Sequence, residues 1–382
     1  MVLSQHRFEV LDGLRGIAAL MVMVLHFNQQ YHYPFLNNIY LAVDVFFVLS
    51  GFVVSHAYAD KLAKGMRNFE YVVRRIARLF PLVALGALLG FFALVLQSAS
   101  GLNGMTYGQD VTTSLLNAMF IPYLNGTYVD QAGQQAIGLI FPGNSPMWSI
   151  FFELVASLLF IKFARISSNA LGLVFLFCVA LLIIVPFILG TANFGHPVDI
   201  NAGWNTDNFL LGFPRVVVGF VSGMLVYRFW SSSKLLAEIK LPNILRHAAW
   251  PCLILILILL QPWTLKGAFG LIVVVMLAPL LVAFGAISKL ENPILARALT
   301  FLGWLSFPIY CLHEPILTIT RILYANFGLQ RSLYLSADYC AFVVVCVVTL
   351  SVAILLEKLD VQRKLIKFIL ALRESVAKTA LI

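Results

Sequence analysis

The chain is poor in charge. Only 11% of its 382 residues are Asp, Glu, Lys or Arg, where soluble domains carry about 25%. That shortage excludes a soluble globular enzyme and a charged, disordered chain. Cysteine is scarce as well. Cys178, Cys252, Cys311, Cys340 and Cys346 all fall in or beside apolar runs, and none pairs at metal-ligand spacing. A disulfide framework and a metal centre are therefore not expected, and apolar packing is the better reading. Two stretches, 98–145 and 191–207, contain no Lys or Arg at all. No internal repeat is visible, and no soluble domain is expected.

What is abundant is apolar sequence, at 61% of the chain. It gathers in blocks of about 20 residues between short polar stretches, the pattern of membrane-spanning helices. The predicted fold is an all-α polytopic membrane protein of about ten transmembrane helices. The spans are read at 9–30, 38–58, 71–97, 146–165, 170–190, 208–230, 248–264, 268–287, 300–324 and 338–357. The weakest is 248–264, which is short and carries Pro251 near its start. A further stretch at 115–124 is too short to span and reads as a partial or interfacial helix. The organisation expected is one transmembrane domain, 1–358, and a basic cytoplasmic tail, 359–382.

Orientation follows from the basic residues, because cytoplasmic loops carry excess Lys and Arg. With both termini placed in the cytoplasm, nearly all of the 26 Lys and Arg fall on the inner side. Only Lys266 and Arg331 fall in outer loops, while Arg15, Arg215 and Arg321 lie within spans. The net charge of +9 is thus mostly a topology signal, and no nucleic-acid partner is implied. The first span is not a secretory signal peptide, since Arg15 interrupts its apolar run and no small-residue cleavage pattern follows.

Ionisable groups at bilayer depth are costly and mark functional sites by default, a structural helix pair being the plain alternative. Arg15 and His26 are eleven residues apart in span one, close to three full turns, so they face the same way about 16 Å apart. Gly13 and Gly16 allow close helix approach beside Arg15. Asp44 enters span two at a depth similar to His26 and is expected to orient its imidazole. The plain reading of Asp44 is a helix-start carboxylate in outer water. Arg75 and Arg78 share a face at i, i+3 near the inner boundary, and they read as an anion site for phosphates. Trp148 suits an interface belt. Glu153 lies two turns below it, with Arg215 at comparable depth as its expected salt-bridge partner. Pro308 and Pro315 in span nine imply a broken helix lining a cavity, with His313 and Glu314 near or beyond mid-depth. Inner-half groups are arginines and outer-half groups are mixed. That direction suits an anionic donor from the cytoplasm and acid–base chemistry nearer the outer face.

At these motifs the chain resembles the acyltransferase-3 family of bacterial membrane O-acyltransferases. The likeness rests on Leu11-Asp12-Gly13-Leu14-Arg15-Gly16 with His26, on the run from Asp44 to Phe52, and on Arg75-x-x-Arg78-x-x-Pro81. It extends to Trp148-Ser149 with Glu153, and to the run from Ser306 through Tyr310 to His313. The resemblance implies transfer of an acyl group, usually acetyl, from cytoplasmic acyl-CoA to a hydroxyl on an extracytoplasmic acceptor. It implies His26 as catalytic residue, and Arg15, Arg75 and Arg78 on the acyl-CoA side. Asp44 or Glu153 is expected to hold the imidazole, with His313 as a further catalytic residue. Arg215, Trp148, Ser149 and Glu314 are expected to be acceptor-side or structural. The span-four Ser-Ile-Phe-Phe-Glu and the Glu314-Pro315 after His313 depart from the commoner family pattern, which makes the acceptor harder to infer. The expected partners are acetyl-CoA as co-substrate, a surface or secreted glycan and the lipid bilayer, with no tightly bound cofactor. The expected location is the bacterial inner membrane. The competing reading is a multi-pass transporter without acyl-transfer chemistry, its Pro-broken helices acting as gates.

Overall fold

A computed structural model describes residues 8–27, 36, 38–102, 104–124, 138–189, 200–232, 249–261, 266–288, 290–327 and 337–379. The protein is all-α and multi-pass. Its helices are α1 (Glu9–Phe27), α2 (Ala42–Ala63), α3 (Asn68–Ala99), α4 (Tyr107–Ala118), α5 (Met147–Phe163), α6 (Ser168–Leu189) and α7 (Gly212–Ser232). Then follow α8 (Ala249–Leu259), α9 (Lys266–Ile272), α10 (Ala278–Ile287), α11 (Pro293–Asn326), α12 (Ala337–Lys358) and α13 (Val361–Thr379). A π turn, Val273–Leu277, joins α9 to α10. Among the described residues, 8 helices are long and apolar enough to cross a membrane by length and composition. Two expected spans are described as shorter helices, α5 with 17 residues and α8 with 11. The short helix expected at 115–124 begins earlier, at Tyr107, where Thr106 and Gln109 form a reciprocal capping box.

Much apolar surface stays uncovered, which in water would drive aggregation and in a bilayer meets hydrocarbon. On α6, Leu173, Phe177 and Ile188 are 68%, 63% and 72% exposed.

The chain divides into two compact units. One comprises Met1–Ala57, Arg165–Ala202 and Leu210–Phe307. Its helices meet through glycine. A Cβ added at Gly16 would lie 2.5 Å from Leu302 Cβ, and one at Gly303 2.7 Å from the Asp12 carbonyl oxygen. The glycines flanking Arg15 therefore seat α1 against α11, as the sequence predicts. On α7, Gly219 faces Phe47 and the Asp44 carbonyl, while Gly223 sits against the Val48 backbone. This small-xxx-small spacing lets α2 and α7 approach backbone to backbone. Contacts advance together along the two helices, so they run parallel, as spans two and six should.

The other unit comprises Tyr58–Ala164, Gly203–Phe209 and Pro308–Ile382. Here α3 and α5 are antiparallel, because Tyr71 reaches Ser157 and Arg75 reaches Glu153. Gly90 and Gly143 touch backbone to backbone. α11 supplies residues to both units. It corrects the expected helix break, since it continues through Pro308 and Pro315. Pro315 has no N–H for the Cys311 carbonyl four residues back. Asn144 Nδ2 donates to that carbonyl at 2.7 Å. A side chain from another segment thus satisfies the acceptor that proline orphaned, and the helix need not open.

Candidate functional site

Each unit holds its own polar cluster. In the first, α1 carries both Arg15 and His26. The His26 ring is buried, and its Nδ1 lies 2.8 Å from the Val22 carbonyl oxygen. A carbonyl only accepts, so Nδ1 carries the proton. In the neutral imidazole Nε2 is then the basic nitrogen. Arg15 Nη2 donates to Ser306 Oγ at 3.3 Å, and that hydroxyl spends its own proton on the Gly303 carbonyl at 2.6 Å.

The same unit encloses a complete ion pair. Arg215 and Asp44 are both fully buried. Nε meets Oδ1 and Nη2 meets Oδ2, each at 2.8 Å. Nη1 donates to the Ala202 carbonyl at 2.8 Å, and the Tyr40 ring centroid lies 5.8 Å from the guanidinium carbon. This corrects two expected pairings. Asp44 is held by Arg215 rather than by the His26 imidazole, and Glu153 is held by Arg75. Nor is Asp44 a helix-start carboxylate in water. The geometric reason is the α2–α7 seam. Arg215 lies one turn before Gly219, whose neighbour across the seam is the Asp44 backbone.

In the second unit, Arg75 is 2% exposed. Its Nη2 donates to Ser157 Oγ at 2.9 Å and to Glu153 Oε1 at 3.2 Å. Its Nε is buried and has no acceptor among the described residues. Tyr71 OH donates to the Ser157 carbonyl at 2.8 Å. Arg78, three residues on, is exposed. The expected shared face of Arg75 and Arg78 is therefore split, because the α3–α5 contact covers one arginine and leaves the other outside.

Further along α5 and α11, Ser145 Oγ donates to Glu314 Oε1 at 2.9 Å, and Ser149 Oγ lies 2.6 Å from Tyr310 OH. His313 is fully buried. Its Nδ1 is 2.8 Å from the Ile309 carbonyl, so it shares the tautomer of His26. Trp148 is buried, 6.1 Å from the Phe152 ring. That removes it from the expected interface belt. Asn144, Ser157 and Tyr71 were not singled out from sequence. Pro315 signals that some donor must reach Cys311, but nothing in the order of residues identifies Asn144 as that donor.

Asp110 on α4 lies in the stretch 98–145, which contains no Lys or Arg. It is fully buried and accepts from Ser98 Oγ at 2.6 Å, while its Oδ1 has no donor among the described residues. Burial pushes its pKa above the ordinary 3.8, against a smaller downward pull from the Ser98 hydrogen bond. The folded state thus holds the proton more tightly than the unfolded one. The stability this group contributes is full below the ordinary carboxyl value and is lost as pH rises through the folded value. Hydrogen exchange across α4 is expected to quicken as pH rises from about 4, after correction for intrinsic rates. Asp110→Asn should flatten that dependence, and an unchanged slope would show that another group carries it. Asp130 and Asp199, the other acids of the two Lys- and Arg-free stretches beside Asp207, lie outside the described residues.

The chain matches a family model described as an acyltransferase domain over residues 8–358. It is 34% identical over 170 residues to "Protein 2 in picA locus" of Rhizobium radiobacter, covering 41% of this chain and 82% of that protein. It is 26% identical over 347 residues to a Bacillus subtilis protein named for peptidoglycan O-acetylation, YrhL, covering 83% of this chain and 50% of that one. It is 23% identical over 327 residues to the O-acetyltransferase OatA of Staphylococcus aureus, covering 83% of this chain and 51% of OatA. The chain thus spans about half the length of these two O-acetyltransferases. No solved structure matches it.

Proposed function

The chain belongs to the acyltransferase-3 family, and from that membership we propose that it is a membrane O-acetyltransferase. Its donor is acyl-CoA on the cytoplasmic side, with acetyl as the acyl group. Its acceptor is a hydroxyl on an extracytoplasmic glycan, the class to which peptidoglycan, named for YrhL, belongs. The membrane is the bacterial inner membrane.

The observation that carries this reading is the fixed tautomer of His26. With Nδ1–H tied to the Val22 carbonyl, Nε2 is the ring nitrogen that accepts a proton in the neutral imidazole. In the proposed step, Nε2 takes the proton of the acceptor hydroxyl as its oxygen attacks the thioester carbonyl carbon. The carbon–sulfur bond then breaks, the thiolate leaves, and the proton on His26 returns to it as free CoA thiol. His313, with the same tautomer, is the supporting imidazole. Glu153 acts in this scheme through Arg75. The test is release of CoA thiol from acetyl-CoA by the purified chain in proteoliposomes, with and without a glycan acceptor. Acceptor-dependent release supports the reading. Glycan transport without thiol release would favour a permease instead.

Donor binding is assigned to Arg15, Arg75 and Arg78, and the exposure of Arg78 makes it the arginine that a phosphate meets first. Arg78→Ala is expected to weaken acetyl-CoA binding about tenfold, the loss of one charge-assisted contact. Lysine should restore only part, because it lacks the planar fork. Arg75→Ala should lower thermal stability as well, since it removes the hydrogen bonds to Glu153 and Ser157. Unchanged CoA affinity in both alanine variants would remove these arginines from the donor site.

Sidedness is testable with cysteines added at exposed Thr112 on α4 and at Lys64 after α2. In intact cells, a membrane-impermeant thiol reagent should label the first and spare the second. The opposite pattern would invert the orientation and end the proposed route.

A further inference from the structure

The expected basic tail is a helix, α13, and only Leu359 and Asp360 separate it from the end of α12 at Lys358. Its apolar residues Val361, Leu365, Phe368, Ile369 and Leu372 fall on one stripe at helical spacing, which Ile366 and Leu370 widen on one side. Arg363, Lys364 and Lys367 occupy the opposite side. One flank of the stripe packs on α3, leaving Val361, Leu365 and Ile369 partly covered, and Arg373 lies over the Phe69 ring at 4.2 Å. That contact does not cover the whole stripe. Phe368 and Leu372, one turn apart, are 64% and 53% exposed. On the helical wheel Phe368 lies about 40° from Lys364, at the edge of the basic arc, and Leu372 lies about 40° further round, among the partly covered residues.

We propose that α13 is an interfacial helix that docks on anionic phospholipid headgroups of the adjacent leaflet. Phe368 and Leu372 enter the headgroup–acyl boundary, and Arg363, Lys364 and Lys367 meet lipid phosphates. Three observations select this occupant. The connection to a membrane-spanning helix is too short for α13 to leave the bilayer surface. The uncovered apolar pair is too small for a stable protein interface. The adjoining charge is positive, complementary to an anionic lipid surface. Arg363 is also held loosely enough to serve, with its side chain 80% exposed and only a 3.7 Å approach to Asp360. The inference is independent of the acyl-transfer reading, because it uses no residue assigned to that chemistry.

The test is hydrogen exchange across 361–373 in the full chain, reconstituted in nanodiscs of phosphatidylcholine alone or mixed with phosphatidylglycerol. Exchange is expected to slow up to ~100-fold in the anionic discs, about a factor of five for each of three basic side chains. Lys364→Gln with Lys367→Gln preserves helix propensity and should return most of that protection to the phosphatidylcholine level. Phe368→Ser should weaken protection in both kinds of disc. Inorganic phosphate added to phosphatidylcholine discs separates a lipid site from a free-anion site. Protection by phosphate alone would overturn the proposal, as would equal exchange in the two lipids or a double variant that keeps the full anionic-disc effect.

Discussion

Replacing His26 with alanine is expected to lower the acyl-transfer rate by at least ~10², the usual size of a general-base contribution, while the chain still folds and inserts. Its Nδ1 hydrogen bond is made within its own helix, at Val22, so losing that bond separates no two helices. The loss should appear in kcat more than in KM, because a base acts as the transition state forms. His26→Gln sharpens the test. Glutamine can still donate to the Val22 carbonyl, but it offers no basic nitrogen, so it should be as inactive as alanine. His313 has the same internal hydrogen bond to Ile309 and is the natural control. If His26→Gln turns over normally and His313→Gln does not, the base is His313 and the assignment moves to α11.

Helix identity and glycine contacts were legible in the sequence because both are local. Apolar blocks of about 20 residues can only be spans, and Gly13 and Gly16 mark a close approach wherever their partner lies. The partner of a buried charge is a tertiary fact. Asp44 and Arg215 are separated by 171 positions, and depth alone left His26, Asp44, Glu153 and Arg215 interchangeable. The choice was made by Gly219 and Gly223, which draw α7 onto α2. The same limit applies at Pro315. Proline predicts an orphaned carbonyl at Cys311 but not that Asn144 fills it, and without the donor a break is the natural inference. The helix α13 is hard to read for another reason. Its charges satisfy the positive-inside rule in any conformation, and they interrupt the apolar stripe along the chain.

The largest stability effect is expected at the Asp44–Arg215 pair. Both side chains are fully buried, and Arg215 has three of its nitrogens committed to Asp44 or Ala202. Asp44→Ala would leave a buried guanidinium without its counter-charge, a change that costs about 3–5 kcal/mol. Asp44→Asn keeps one acceptor oxygen but not the charge and should fall between. The decisive variant is the double substitution Asp44→Leu with Arg215→Met, which removes both charges at similar volume. Buried ion pairs replaced in this way are often neutral in stability, so the double variant should melt close to the parent and well above either single. Its activity then separates two roles for Asp44. If the refolded double variant transfers acetyl groups normally, Asp44 is a strut that fixes α7 against α2, and only its pairing matters. If it is stable but inactive, the charge itself acts on the chemistry, and the catalytic role expected from sequence survives through Arg215 instead of through a direct bond to His26. A double variant that melts no higher than Asp44→Ala would show that the pair is not coupled as its geometry implies.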